Sequence, residues 1–227
     1  MDDPLTQRVL ERVRAIFSGA RGGHDLDHTV RVFVNACRIA EMELPRNDSE
    51  SRRVVRLAAL LHDCARPEED RGKGKVCHAS LGRLKSAEIL RELGCPDENL
   101  IRAVSECVGR HRYRGRELPS TLPEKIVYDA DKLDSIGAVG IGRALHFASQ
   151  VGARIHNTAE QALAGKEYGP EDTAYREYLV KLRHVAGRML TKAGRELAER
   201  RSSFMKDFFD EMNRETEDAF RFTGELK

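Results

Sequence analysis

Leu57-Ala58-Ala59-Leu60-Leu61-His62-Asp63 is a run of five apolar helix formers followed at once by an imidazole and a carboxylate. A helix that is apolar on every side is buried on most sides, so this segment marks the centre of a helical fold. The two polar residues that end it must then be paired or bound to a cation, because charged groups enter such surroundings only with partners. Adjacent residues on a helix do not face the same way, so a shared ligand would sit where the helix ends and its backbone turns.

Outward from this segment the chain reads as helix after helix, with almost no strand-type alternation. Val9, Leu10, Val13, Ile16 and Phe17 mark a first amphipathic helix, ended by Ser18-Gly19-Ala20-Arg21-Gly22-Gly23. A second is expected over about 27–43, with Val32, Ala36, Ile39 and Ala40 inward, and the third over about 50–64. The stretch from Arg66 to Lys75 is expected to be a loop, too charged and too glycine-broken to pack. Further helices are expected over about 78–94, 97–111 and 124–151, then an irregular excursion over 152–171. A last long pattern over about 172–213 places Leu179, Leu182, Ala186, Met189, Ala193 and Leu197 inward. Its end carries Phe204, Phe208, Phe209 and Met212, which either pack back on the domain or meet a second copy in a homodimer. The expected fold is all-α, one domain over 1–227 with a core at about 20–150 and a long C-terminal helix.

With 227 residues the chain is long enough to bury its own core without staples. A net charge of +2 implies no general attraction to nucleic acid. No stretch approaches the roughly 20 apolar residues of a membrane span, and the acidic start Met1-Asp2-Asp3-Pro4 has no apolar signal core. A cytoplasmic protein is expected. The five cysteines, an odd number in a chain of this size, argue for reduced thiols rather than a disulfide framework.

A His-Asp pair alone is more often a satisfied polar pair than a ligand pair. Two other places change that balance. His28 opens the second helix one turn before Val32 and two before Ala36, so its ring points to the core side. Asp129-Ala130-Asp131-Lys132-Leu133-Asp134 puts three carboxylates and one ammonium among Ile126, Val127, Leu133 and Ile136. Imidazole with carboxylate is the donor set of Mn, Fe, Co, Ni or Zn. Spacing does not choose the ligand among Asp129, Asp131 and Asp134.

In this order and spacing, His28, His62-Asp63 and Asp131 resemble the motif of the HD-domain metal-dependent phosphohydrolases. The likeness covers about residues 20–150 and extends to Gly23-His24-Asp25-Leu26-Asp27-His28 and to the segment from Asp129 to Ala138. It is nearest to a small bacterial and archaeal subgroup with an Asp-Ala-Asp-Lys/Arg-Leu-Asp segment and a trailing long helix. The resemblance implies an HD-type helical bundle and one or two divalent ions. It implies that His28, His62, Asp63 and the middle aspartate, Asp131, are metal ligands, with Asp129 and Asp134 as supporting or capping residues. It also implies that His78 and His111 stand where relatives with two ions place further ligands; without a second ion they would contact a phosphate.

A divalent cation lowers the pKa of bound water toward about 7 and neutralises charge on phosphoryl oxygens during in-line attack. Asp63 can orient or deprotonate that water. Lys132 either pairs with a neighbouring carboxylate or binds phosphate, the pair being favoured. Arg66, and Arg110, Arg112 and Arg114 beside His111, are phosphate candidates, since a guanidinium fork matches phosphate bidentately; a solvated loop is an equal reading of so dense a cluster. Glycines at 137, 140 and 142 lack the preceding strand and Gly-Lys-Ser/Thr ending of a nucleotide loop. A zinc site from Cys64, Cys77, His62 and His78 lacks Cys-x-x-Cys arms. His24, His146, His156 and His184 have no partner pattern.

The subgroup's activities imply a hydrolase for a nucleotide or another small phosphorylated metabolite, including cleavage of a nucleoside triphosphate to monophosphate and pyrophosphate. The alternatives are a nucleotide monophosphatase, a phosphodiesterase, a regulatory protein that binds nucleotide or metal without turnover, and a helical interaction domain. The Gly-Tyr-Pro signature of dinucleotide-specific relatives is absent from the sequence.

Overall fold

The computed structural model describes residues 3–19, 25–72, 77–112 and 117–225, and among these the chain is helical with no strand. The elements are α1 (Pro4–Ile16), α2 (Leu26–Glu43), α3 (Ser49–Leu61), α4 (Arg66–Arg71), α5 (His78–Glu92) and α6 (Glu98–Arg110). There follow α7 (Leu122–Asp134), α8 (Gly137–Gln150), α9 (Ala159–Ala164), α10 (Ala174–Val180), two 3-10 turns (Leu182–His184 and Ala186–Arg188) and α11 (Lys192–Glu225). The chain forms two compact units, Met1–Asp134 with Leu190–Gly194, and Ser135–Met189 with Arg195–Lys227.

In the first unit α3 is the central element, packed against α1, α2, α6 and α7. Its apolar end explains this: Leu57, Ala58, Ala59, Leu60 and Leu61 are all buried. Side-chain caps set the starts of the surrounding helices. Asp3 accepts from Leu5 N, Asp48 from Ser51 N, and Asp97 from Asn99 N and Leu100 N. Each satisfies amides that the helix itself leaves unbonded.

Three expectations from the sequence are corrected. The charged stretch after Asp63 is not a loop throughout: residues 66–71 form α4 with Glu69 buried, because its charges are paired rather than solvated. Arg66 bonds Glu69 at 2.9 Å, and Lys85 bonds Glu68. Residues 73–76 lie outside the described chain. The helix expected over 124–151 is two helices, since Ile136 is extended and Gly137 takes φ +79, a left-handed conformation that favours glycine. The pattern over 172–213 is also broken. Lys181 (φ −138, ψ −58) ends α10, and Met189 is extended before α11 begins.

The start of α11 is held by acidic side chains within the first unit. Asp129 accepts from Leu190 N at 2.9 Å, Thr191 N at 2.8 Å and Thr191 Oγ1 at 2.7 Å, while Glu43 accepts from Ala193 N at 2.6 Å. Carboxylates placed at a helix N-terminus satisfy free amides and complement the dipole. In the second unit α10 packs on α8, and Phe209 is buried with its ring 4.6 Å from that of Tyr178 and 5.6 Å from that of Tyr175. Phe209 thus packs back, whereas Phe204 is exposed. No described helix is long and apolar enough to cross a membrane, and all five cysteines are free thiols.

Gly194 leaves no room beside this cap: an added Cβ would lie 2.3 Å from Asp129 Oδ2 and 2.7 Å from Thr191 Oγ1. Gly194→Ala is expected to lower unfolding free energy by about 1–3 kcal/mol in urea titration. Gly142→Ala, in the open interior of α8 with nothing within 4 Å, is expected to be neutral or stabilising by about 0.5–1 kcal/mol. Equal effects at the two positions would show that the Asp129 cap is not a tight constraint.

Candidate metal centre

Five helix ends or faces of the first unit bring the titratable residues together. Asp25 caps α2 by accepting from His28 N at 2.9 Å, which fixes His28 in the first turn with its ring buried. His62 follows the last residue of α3, and the chain then turns through Cys64 N to Leu61 O and Arg66 N to Asp63 O. This tight reversal lets His62 and Asp63, neighbours in sequence, face one centre. His78 is the first residue of α5, His111 follows the last residue of α6, and Asp131 lies on α7.

Asp63 is the shared element. Its Oδ2 is 3.7 Å from His28 Nε2 and 3.7 Å from His62 Nε2. Its Oδ1 is 3.5 Å from His78 Nε2 and 3.6 Å from His111 Nε2. Two sets result, His28–His62–Asp63 and Asp63–His78–His111, and within each the ligand atoms lie within 4.8 Å of one another. Asp131 Oδ1 reaches His28 Nε2 at 3.6 Å; its side chain keeps 17% exposure, whereas those of His28, His62 and Asp63 keep 3% or less. The structure therefore brings His28, His62, Asp63 and Asp131 together and adds His78 and His111 through the second oxygen of Asp63.

The other ring nitrogens decide the chemistry. His62 Nδ1 lies 2.8 Å from Ala59 O, and His111 Nδ1 lies 2.7 Å from Val108 O. A carbonyl only accepts, so both Nδ1 atoms carry protons. His28 Nδ1 donates to Asp134 at 2.7 Å, and His78 Nδ1 donates to Glu69 at 2.5 Å. Burial pushes His62 down to about 4 and lowers His78, so these two rings are neutral at pH 7. With Nδ1 protonated, a neutral ring presents a lone pair at Nε2. His28 and His62 approach through Nε2 at 3.2 Å, as do His78 and His111, in both cases beside the Asp63 carboxylate. Ring nitrogens and carboxylate oxygens crowded at these distances need a shared proton or a cation among them. The donor set, neutral imidazole with carboxylate oxygen, is that of a divalent transition ion.

Burial works against ionisation of Asp131, but Lys132 and the histidines outweigh it and hold the carboxyl well below the usual range. Lys132 Nζ lies 2.7 Å from Asp131 Oδ2 and 3.1 Å from His111 O, so it is engaged in the ion pair. Arg66 bonds Glu69 and approaches His78 Nδ1 at 3.4 Å; Arg112 lies 3.1 Å from Cys77 Sγ and 3.6 Å from Glu69. Arg110 does not join them, since its guanidinium is taken by Glu106, Glu117 and Glu124. Arg114 and His24 lie outside the described residues. Cys64 joins no ligand set: it is buried, its thiol is pushed up to about 12 by burial, and its Sγ lies 3.8 Å from Gly82 O.

Two carboxylates back these rings: Asp134, which the family resemblance has as a supporting or capping residue, and Glu69, whose role the sequence does not display. Asp134 backs His28 and is itself gripped by Arg31, Nε to Oδ1 at 2.6 Å and a second nitrogen to Oδ2 at 3.0 Å. Glu69 backs His78. Nothing in the run Glu68-Glu69-Asp70 marks Glu69 as the buried carboxylate, so only the fold reveals it.

Residues 25–136 match the family described as the HD domain. Over 216 residues the chain is 33% identical to YpgQ of Bacillus subtilis (strain 168), covering 92% of each. The chain belongs to the HD-domain family. Among solved structures it resembles B. subtilis YpgQ in complex with ADP (26% identity, TM-score 0.66, 93% of this chain and 94% of that one). It also resembles an HD-superfamily hydrolase from Bacillus thuringiensis (25% identity, TM-score 0.69, 92% and 95%).

The neutral state of His62 has a consequence for stability. Its value near 4 when folded, against 6.5 ordinarily, means that acid protonates the unfolded chain first. Its contribution is then complete above pH 6.5 and is lost as pH falls toward 4. With chelator present, the urea midpoint is expected to fall between pH 7 and pH 5 more steeply in the parent chain than in His62→Gln. Equal slopes would show that the ring is not held neutral.

Proposed function

We propose that this chain is a metal-dependent phosphohydrolase acting on a nucleotide or another small phosphorylated metabolite, with a nucleoside triphosphate, cleaved to monophosphate and pyrophosphate, as its foremost substrate. The observation that carries the reading is the convergence of four histidine Nε2 atoms on the two oxygens of one buried aspartate. His28, His62, Asp63 and Asp131 would hold one divalent ion, and His78 and His111 would hold a second against the other oxygen of Asp63. An ion there supplies Lewis acidity toward a phosphoryl oxygen and acidifies its bound water.

The remaining work belongs to the chain. Asp63 and Asp131 orient the attacking water, and Asp63 takes its proton, while Asp131, paired with Lys132, stays ionised. Lys132 holds Asp131 by its Oδ2, leaving Oδ1 toward His28. Arg66 and Arg112 bring two guanidinium groups to the His78 side, where a phosphate can be gripped bidentately. The ADP complex of YpgQ supports a nucleotide as the phosphate compound. Burial of the histidines and Asp63 keeps bulk water from their contacts and strengthens them.

Purified protein is expected to hydrolyse at least one member of a nucleotide panel, to lose that activity with EDTA and to regain it with Mn, Co, Ni or Mg. Asp131→Ala is expected to lower turnover by about 100-fold or more, the scale of losing one transition-state contact. Turnover unaffected by both chelator and Asp131→Ala would refute a metal-dependent reaction.

A further inference from the structure

The two halves of the centre are built alike. Each contains one oxygen of Asp63, one histidine backed by a main-chain carbonyl (His62 on Ala59, His111 on Val108) and one backed by a carboxylate (His28 on Asp134, His78 on Glu69). The halves differ in what else surrounds them. The His28–His62 half has Asp131 beside it, at 3.6 Å from His28 Nε2, and its backing carboxylate Asp134 is gripped through both oxygens by Arg31. In the His78–His111 half the backing carboxylate Glu69 is buried, and the guanidinium groups that approach it are those of Arg66 and Arg112.

From this we infer that Glu69 is the positioning residue of a second metal station, holding His78 Nδ1 so that Nε2 faces Asp63 Oδ1, and that it joins this station to the phosphate-gripping arginines. The inference rests on the metal-dependent reading above and deepens it. His78 is the first residue of α5, and its Nδ1 is tied to a carboxylate of α4 rather than to its own helix. That bond, Nδ1 to Glu69 Oε2, is 2.5 Å. A carboxylate behind a ligating histidine fixes the tautomer and makes the other nitrogen a stronger donor, and its loss typically weakens metal binding by about 10–100-fold. His62 and His111 are tied to carbonyls of their own helices three residues earlier, so they keep their direction whatever happens at position 69. The same Oε2 accepts from Arg66 at 2.9 Å, and Arg112 stands 3.6 Å from Oε1. Among the described residues Glu69 is therefore the carboxylate that meets both a candidate ligand histidine and two candidate phosphate arginines. Glu69 itself contacts no ion in this arrangement; it acts through His78.

Manganese binding to the full chain tests this directly, by stoichiometry and by electron paramagnetic resonance. The parent chain is expected to bind two Mn(II), giving an exchange-coupled spectrum through the shared Asp63. Glu69→Ala is expected to bind one ion at the same free manganese, with a six-line mononuclear spectrum and an unchanged far-ultraviolet circular dichroism spectrum. Glu69→Gln, whose amide oxygen still accepts from Nδ1, is expected to recover the coupled spectrum at about 10-fold higher manganese. If Glu69→Ala does not fold, Glu69→Gln decides alone: weakened second-ion binding with the first unchanged supports the role. The inference is overturned if the variants bind both ions as the parent does, if both ions are weakened equally, or if the parent binds only one. A parent chain that binds no manganese, cobalt or nickel would instead overturn the metal-dependent reading itself.

Discussion

Asp63 presents one carboxylate oxygen to His28 and His62 and the other to His78 and His111, and the first unit is arranged around that contact. α3 must be apolar enough to lie at the centre of the unit and must end where His62 and Asp63 can turn inward together. α2, α5 and α6 must each bring a terminus, not a midpoint, to the same place, because helix ends can present side chains to a common point without crowding backbones. The cap at Asp25 sets where α2 begins and thereby where His28 arrives, while His111 arrives where α6 ends. The fold is in this sense the means of holding six polar groups where water does not compensate them.

That arrangement is electrostatically adverse without a cation. Proton placement follows from the partners of the Nδ1 atoms: two are carbonyls and two are carboxylates, and all four accept. His62 and His78, neutral at pH 7, then direct lone pairs inward. Protonating these two would relieve the repulsion, but burial opposes their charged form. A bound positive ion satisfies both conditions. The same reasoning explains why the neighbouring carboxylates Asp134 and Glu69 are themselves gripped by Arg31 and Arg66. A buried carboxylate that backs a histidine needs its own compensation.

Much of this was legible in the sequence. Leu57 to Leu61 announced the central helix, and the all-helical pattern and the inward direction of His28 followed from periodicity. Asp131 could not be separated from Asp129 and Asp134 by spacing; the family resemblance chose it, and the structure shows three different tasks in one turn and a half of α7. Asp131 faces the centre, Asp134 backs His28, and Asp129 caps the start of α11. Contacts that join residues 60 or 100 apart leave no local pattern, so Asp129–Thr191 and His28–Asp134 were not readable as pairs. Glu69 was hidden for another reason: α4 is a single charged turn whose burial comes from pairing, and composition describes such a segment as loop. The breaks at Gly137 and Met189 were likewise invisible to a count of apolar positions, because the helical period resumes in register on either side.

The most direct measurement is anomalous X-ray diffraction at the manganese absorption edge, from crystals grown with Mn(II). The expected result is a peak bounded by His28 Nε2, His62 Nε2, Asp63 Oδ2 and Asp131, with the two rings moved apart from their 3.2 Å approach. A map with no peak there, and the ring nitrogens still 3.2 Å apart, would contradict the claim that a cation is what this constellation is built to hold.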